Sequence, residues 1–210
     1  MTATTAIDTL TYRDDPTLKA GLVAEAEAHR AADRLVQGEY YSNGTSEWRG
    51  CAVGCTVAGR LTKDQLAARG FDWHEKWAEV TGLPQWLGHL EDRIFEGLPI
   101  ETARGWPVRL LSAVPVGVDL TAAREAWFRD IVLDREMGAV GHAAKAMDSI
   151  KRPDLAKRLR AIPPDAPWAE VWKTCREVRA AADAAAAAAS RRLQWTWMAD
   201  RLIHHLEAAR

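Results

Sequence analysis

The chain has 210 residues, 28 Lys and Arg against 29 Asp and Glu, and three cysteines. A chain of this length buries a substantial core without disulfide staples, and its near-neutral balance supplies no global field to draw in nucleic acid or an anionic membrane. The odd cysteine number, the absence of a basic start or apolar run in residues 1–12 and the lack of any spanning-length apolar stretch lead to the expectation of a cytoplasmic protein that binds neither nucleic acid nor membrane.

Asp14-Asp15-Pro16 places an acidic N-cap before a proline at the first helical position, which predicts a helix over 16–37, ended by Gly38. Residues 39–60 are the least regular stretch. They hold Tyr40-Tyr41 and Gly50-Cys51-Ala52-Val53-Gly54-Cys55, where glycines beside cysteines imply special backbone geometry or close packing. Helices are predicted at 62–69 and 72–80. Gly82-Leu83-Pro84 then restarts the chain into a helix that reaches Leu98 before Pro99, with Leu87, Leu90, Ile94 and Leu98 as its buried stripe. Shorter helices follow near 107–114, 121–136 and 139–150, the first two joined by Val114-Pro115-Val116-Gly117-Val118 as an apolar connector or one short strand.

Consecutive prolines cannot sit inside a helix, so Pro163-Pro164-Asp165-Ala166-Pro167 is the candidate hinge. Residues 168–209 contain no Gly or Pro and include the alanine tract 180–189, broken only by Asp183, which predicts one very long helix or two stacked ones. Trp168, Val171, Trp172, Cys175, Val178, Ala182, Leu193 and Trp197 share a side of it at helical spacing. The fold class is therefore all-α, a multi-helix bundle with little or no β structure. Its expected organisation is a core domain over 1–162, a hinge at 163–167 and a C-terminal helix over 168–210 that packs on the core or on a partner subunit, a route to a homo-oligomer.

The candidate chemistry concentrates in the N-terminal half. On the first predicted helix His29 and Asp33 lie one turn apart on the same side as Leu18, Leu22 and Val36, which should be the buried side. Such a pair is either a hydrogen-bonded packing device or a His-Asp unit in which the carboxylate orients a general base. Cys51, behind Gly50 and near a helix start, reads as a nucleophile, a metal ligand or a small buried thiol. If its segment is helical, Cys51 and Cys55 share a face and with His29 and His74 complete a zinc set, although the spacing matches no standard ribbon or finger. On the central helix His89, Asp92 and Glu96 lie opposite the leucine stripe, where a solvated face explains them.

The candidate catalytic residues are thus His29, Asp33 and Cys51, and the candidate ligand contacts are Tyr40, Tyr41, Cys55, Glu91 and Asp92. No cofactor is expected, zinc at Cys51, Cys55, His29 and His74 being the exception to test. The basic run over 151–160 reads as a solvated helix face, and no phosphate loop, dinucleotide fingerprint, nucleophile elbow or zincin motif occurs.

Several strings taken together carry a resemblance: His29, Asp33 and Gly38; the Gly50 to Cys55 segment; Gly82-Leu83-Pro84; Leu90-Glu91-Asp92-Arg93-Ile94-Phe95-Glu96-Gly97-Leu98-Pro99; and Ala113-Val114-Pro115-Val116-Gly117-Val118-Asp119-Leu120. The chain resembles an uncharacterised family of bacterial and bacteriophage proteins that end in alanine-rich helices. The G-C-A-V-G-C string is the most specific part of the likeness. The resemblance implies a prokaryotic or phage cytosolic setting and no particular reaction. Two functions are carried forward from the sequence. One is a non-enzymatic binding or regulatory protein for a small ligand or a protein partner, which in a phage would interfere with a host pathway. The other is a small hydrolase or transferase using His29 and Asp33, with Cys51 as nucleophile or metal ligand.

Overall fold

A computed structural model describes residues 10–43, 48–68, 70–182 and 191–209. Among them are twelve α-helices and one two-stranded antiparallel hairpin, β1 (Ser42–Asn43) with β2 (Trp48–Arg49), so the chain is all-α as its pattern predicts. No helix of the described residues is long and apolar enough to cross a membrane. Contacts divide the chain into two units, Met1–Ala123 with Leu202–Arg210, and Arg124–Arg201.

The first unit contains α1 (Pro16–Ala31), α2 (Ala52–Arg60), α3 (Lys63–Ala67), α4 (Trp73–Thr81), α5 (Gln85–Gly97), α6 (Ile100–Ala103) and α7 (Trp106–Ala113). Helix α1 packs on α2, α4 and α7, and α5 packs on α2, α4 and α7. Asp15 caps α1 by accepting the Thr17 amide at 2.8 Å, with Pro16 at the first position, as the sequence predicts. The helix ends at Ala31, well short of the expected 37. Asp33 turns left-handed (φ 53°), and the next residues exchange helical hydrogen bonds for a bridge to Gly50. Val36 N–H donates to the Gly50 carbonyl at 2.9 Å and Gly50 N–H to the Arg34 carbonyl at 3.0 Å. The gain is burial of Leu35 in the core.

The stretch expected to be irregular contains α2, whose residues from Ala52 through Ala58 are all buried. It is glycine-rich because its backbone approaches another segment closely: a Cβ on Gly54 would lie 1.4 Å from the Tyr40 carbonyl oxygen. In α5 the buried face is Leu87, Gly88, Glu91, Ile94 and Phe95. Leu90 is only half-buried, and the carboxyl of Glu91 takes the inward place that the leucine stripe reserved for an apolar group. Wholly buried Trp77 of α4 lies against Gly88, where a Cβ would come within 2.8 Å of the indole.

A feature with no sequence forewarning precedes α1. Tyr12, Arg13 and Asp14 are all left-handed (φ 55°, 54° and 58°), a conformation that costs about 1 kcal/mol or more per residue. Tyr12 offsets this by complete burial, with its hydroxyl donating to the Leu111 carbonyl at 2.6 Å and its amide to the Gly82 carbonyl at 2.9 Å.

Helix α8 (Thr121–Leu133) runs mostly within the second unit, which also contains α9 (Ala139–Ser149), α10 (Pro153–Arg160) and α11 (Trp168–Ala182). Its core joins Val140, Ala144 and Met147 of α9 to Leu155 and Leu159 of α10 and Val171 and Val178 of α11. The proline segment expected as a hinge lies inside this unit. Ala166 is buried in its core, and Arg129 donates to the carbonyls of Pro164 (3.2 Å) and Ala166 (3.1 Å), while the three prolines are exposed.

Of the tail expected as one long helix or two, α11 and α12 (Arg191–Glu207) are helical, and residues 183–190 lie outside the described residues. Val171 and Val178 are buried as expected, Trp168, Cys175 and Trp197 are half-buried, and Trp172 is 42% exposed. The side chains of Ala182 and Leu193 are outside the described set.

Candidate functional site

The sequence-predicted residues separate into two groups. His29, near the C-terminal end of α1, is buried with its ring edge-on to Trp48 at 5.1 Å and close against Gly59. Burial, helped by the positive charge of Arg34, lowers its pKa from 6.5 to about 4, so at neutral pH the imidazole is uncharged. Asp33 does not serve it: beyond the end of the helix it is exposed and pairs with Arg104 at 2.9 Å. The expected His-Asp unit is not formed, because the chain leaves the helix before the turn that would align the two residues.

The expected zinc set also dissolves. The Cys55 thiol donates to the carbonyls of Gly50 (3.4 Å) and Arg34 (3.6 Å), a packing role that burial reinforces by raising its pKa to about 12. Neither Cys55 nor His29 belongs with Cys51 in a ligand cluster. Tyr41 lies 6.4 Å from Trp73 and 6.0 Å from Trp48, ring centre to ring centre, at the rim of the aromatic surface.

The second group converges. Cys51 is the N-cap of α2, its sulfur accepting the Gly54 amide at 3.4 Å, and it is almost wholly buried. Asp92 and Glu96, four apart on α5, project from one side of that helix towards it. One donor atom from each of Cys51, Asp92 and Glu96 falls within 4.8 Å of the others, and this is the one such set of three or more acidic, histidine or cysteine side chains among the described residues. These side chains line a pocket of about 260 Å³ with Gly38, Glu39 and Tyr40. On the face expected to be solvated, Glu96 is exposed and Asp92 half-buried, and residues 38–40 and 51 approach that side of α5 to form the pocket.

Secondary contacts fix the geometry. Both Glu96 carboxylate oxygens accept the Gly38 amide, at 2.9 and 3.1 Å. Asp92 Oδ2 accepts the Tyr40 hydroxyl at 3.3 Å and lies 3.5 Å from His74 Nε2. Tyr40 stacks parallel on Trp73 at 5.7 Å, and His74 stacks on His89 at 3.9 Å.

Burial is the leading cause of every shift around the pocket. Burial, with Asp92 and then Cys51 behind it, pushes the Tyr40 phenol up to about 12. Burial also pushes the Cys51 thiol well above its usual range, the Gly54 amide opposing and Asp92 adding to it. Glu96 is raised by burial and by Asp92, against the pull of the Gly38 amide. His74 is lowered by burial and by His89, with Asp92 opposing. Among the described residues no Lys or Arg lines the pocket.

Glu91, the residue before Asp92, points the other way, into the core, with 0% exposure and no hydrogen-bond partner on either carboxyl oxygen. Burial and the neighbouring Asp92 raise its pKa to about 8, the Trp77 indole being the one group acting to lower it. It is a neutral acid buried behind the site and lines no part of the pocket.

A larger cleft of about 530 Å³ lies elsewhere in the first unit, between Thr11, Arg13, Gly82–Trp86 and Asp119–Thr121. It contains none of the candidate residues, and Arg13 is engaged with the Glu79 carbonyl. Size alone does not make it the site, since it has no convergent set of reactive or ligating groups. No protein-family model, curated protein or solved structure matches the chain.

Proposed function

We propose that this chain is a binding protein that captures a small cation in the pocket formed by Cys51, Asp92, Glu96 and Tyr40. The observation that carries the reading is the set of carboxylates converging on a part-enclosed pocket with no cationic side chain in its lining. Confining like charges in a site of reduced dielectric is unfavourable until a counter-charge enters, and the upward shifts at Tyr40, Cys51 and Glu96, led by burial with Asp92 adding to it, have the sign such a site requires. Tyr40, held in place by its stack on Trp73, is the aromatic side chain in the lining. Its volume is below that of pockets for drug-sized ligands, which limits the guest to an ion or a compact organic cation.

The hydrolase or transferase reading has less support. A cysteine nucleophile acts as its thiolate, and both burial and Asp92 hold Cys51 in the thiol form. The base assigned to it, His29, faces Trp48 and Gly59 instead of the pocket. A reducing cytoplasmic setting, which keeps Cys51 free, belongs with the binding reading.

Calorimetric titration with guanidinium, trimethylammonium and divalent metal chlorides tests it. Binding of at least one of these cations, weakened by Asp92→Asn and by Glu96→Gln, is the expected result. If no cation binds, or if both substitutions leave binding unchanged, the proposal fails.

A further inference from the structure

Resting on the cation-pocket reading, the geometry points to a divalent transition-metal site of the zinc class, with Cys51 Sγ, one Asp92 oxygen and one Glu96 oxygen as ligands and a fourth position open to the pocket. The donor set is built from two independent segments. Helix α5 supplies the carboxylates four residues apart, and the first residue of the α2 cap supplies the sulfur. The donor atoms lie within 4.8 Å of one another. A tetrahedral ion with bonds of about 2.0–2.3 Å needs donors roughly 3.3–3.7 Å apart, so a modest rotation of the carboxylate side chains closes the set.

The chemistry of the donors selects among cations. One thiolate with two carboxylates is softer than the all-oxygen surroundings that magnesium and calcium require, and it suits zinc, cobalt(II) or iron(II). On binding, the metal–sulfur bond replaces the S–H bond of Cys51 and the proton leaves to solvent, so no oxidant or reductant takes part. The Gly54 amide, already donating to the sulfur at 3.4 Å at the positive end of α2, stabilises the thiolate so formed.

A second observation concerns the neighbours of Asp92. His74 Nε2 is inaccessible to solvent, has no hydrogen bond and lies 3.5 Å from Asp92 Oδ2. Tyr40 approaches the same oxygen at 3.3 Å. These groups are placed to hold Asp92 through Oδ2, the usual kind of outer-shell support for a ligating carboxylate. His74 is in this scheme a positioning residue.

The test is anaerobic titration of the full chain, purified without a metal-affinity tag and stripped with chelator, using cobalt(II) as the probe. The expected result is one cobalt per chain, with a near-ultraviolet thiolate-to-cobalt charge-transfer band and visible bands of tetrahedral intensity. Cys51→Ser loses the charge-transfer band, while Cys55→Ser and Cys175→Ser retain it. Glu96→Gln, a change at an exposed position that leaves the core intact, weakens cobalt binding by about tenfold or more. His74→Gln weakens it by about tenfold and keeps the band, the signature of an orienting partner. A wild-type titration without the charge-transfer band overturns the metal site, as does a band that survives Cys51→Ser. If guanidinium or trimethylammonium still binds in that case, the cation pocket stands and only the metal assignment falls. If neither cobalt nor an organic cation binds, both readings fall together.

Discussion

Acidification should expose the cost of keeping His29 neutral. The ring is 7% exposed, walled by Trp48 and Gly59, and its pKa in the folded chain is about 4 against 6.5 for the ordinary side chain. The charged groups around it are Arg34, whose positive charge disfavours a second one, and Glu25, whose carboxylate is paired with Arg60 at 2.8 Å. Between these two pKa values the unfolded chain binds a proton that the folded chain refuses, so stability is fully present above pH 6.5 and is lost as pH falls towards 4. Each pKa unit corresponds to about 1.4 kcal/mol, which sets the total loss at roughly 3 kcal/mol and the loss by about pH 5 at roughly 2 kcal/mol. Urea unfolding of the wild type and of His29→Gln at about pH 7.5 and about pH 5 measures it. Glutamine loses packing against Trp48 equally at both pH values, so the difference between the two pH differences isolates the titration. Equal losses in wild type and variant would refute the claim that this imidazole is buried and uncharged.

Glu91→Gln should change stability at neutral pH by no more than about 1 kcal/mol, because a protonated carboxyl and an amide are close isosteres, whereas Glu91→Lys should prevent folding by burying an unpaired charge; urea unfolding separates the two. Asp33→Asn should cost less than about 0.5 kcal/mol, since its pairing with Arg104 is solvent-exposed, and should leave cation binding intact, a direct measure of its separation from the pocket. Gly54→Ala forces a methyl to within 1.4 Å of the Tyr40 carbonyl oxygen, so it should destabilise by roughly 3 kcal/mol or more in thermal melts. Any folded fraction should bind cations poorly, because Tyr40 must move away from Asp92.

Helix propensities, caps and breakers made most of the fold legible. Asp15-Pro16, Asp72 and Gly82-Leu83-Pro84 mark the observed starts and stops of α1, α4 and α5 within a residue or two. The end of α1 was not legible, because Ala31 through Val36 remain compatible with helix and the decision rests on a bridge to Gly50, a contact remote in sequence. Helix α2 was hidden for a related reason. Its glycines look like loop residues, and only the approach of Tyr40 shows that they are small so that the backbones can meet. Among site residues, Cys51, Tyr40 and Asp92 were recognisable by type and position. Glu96 reads as solvated and is exposed, and its spacing of four from Asp92 puts the two on one face; the approach of residues 38–40 and 51 to that face is a tertiary fact.

Helix α5 therefore carries two kinds of acid with opposite fates, and a rotation of about 100° between adjacent residues decides which is which. Glu91 faces Trp77 and the core, where no base or amide neutralises it and protonation is the least costly state. Asp92, next along the helix, faces Tyr40, His74 and Cys51, where donors are available and an ion can approach from the pocket. An apolar residue would bury at position 91 at lower cost; when ionised, the acid there raises the pKa of Cys51 through its field. The buried acid and the pocket acid are thus electrostatically coupled through the same helix. A cation held by Asp92 would offset the field that keeps Glu91 protonated, so capture in the pocket should lower the pH at which the buried acid ionises.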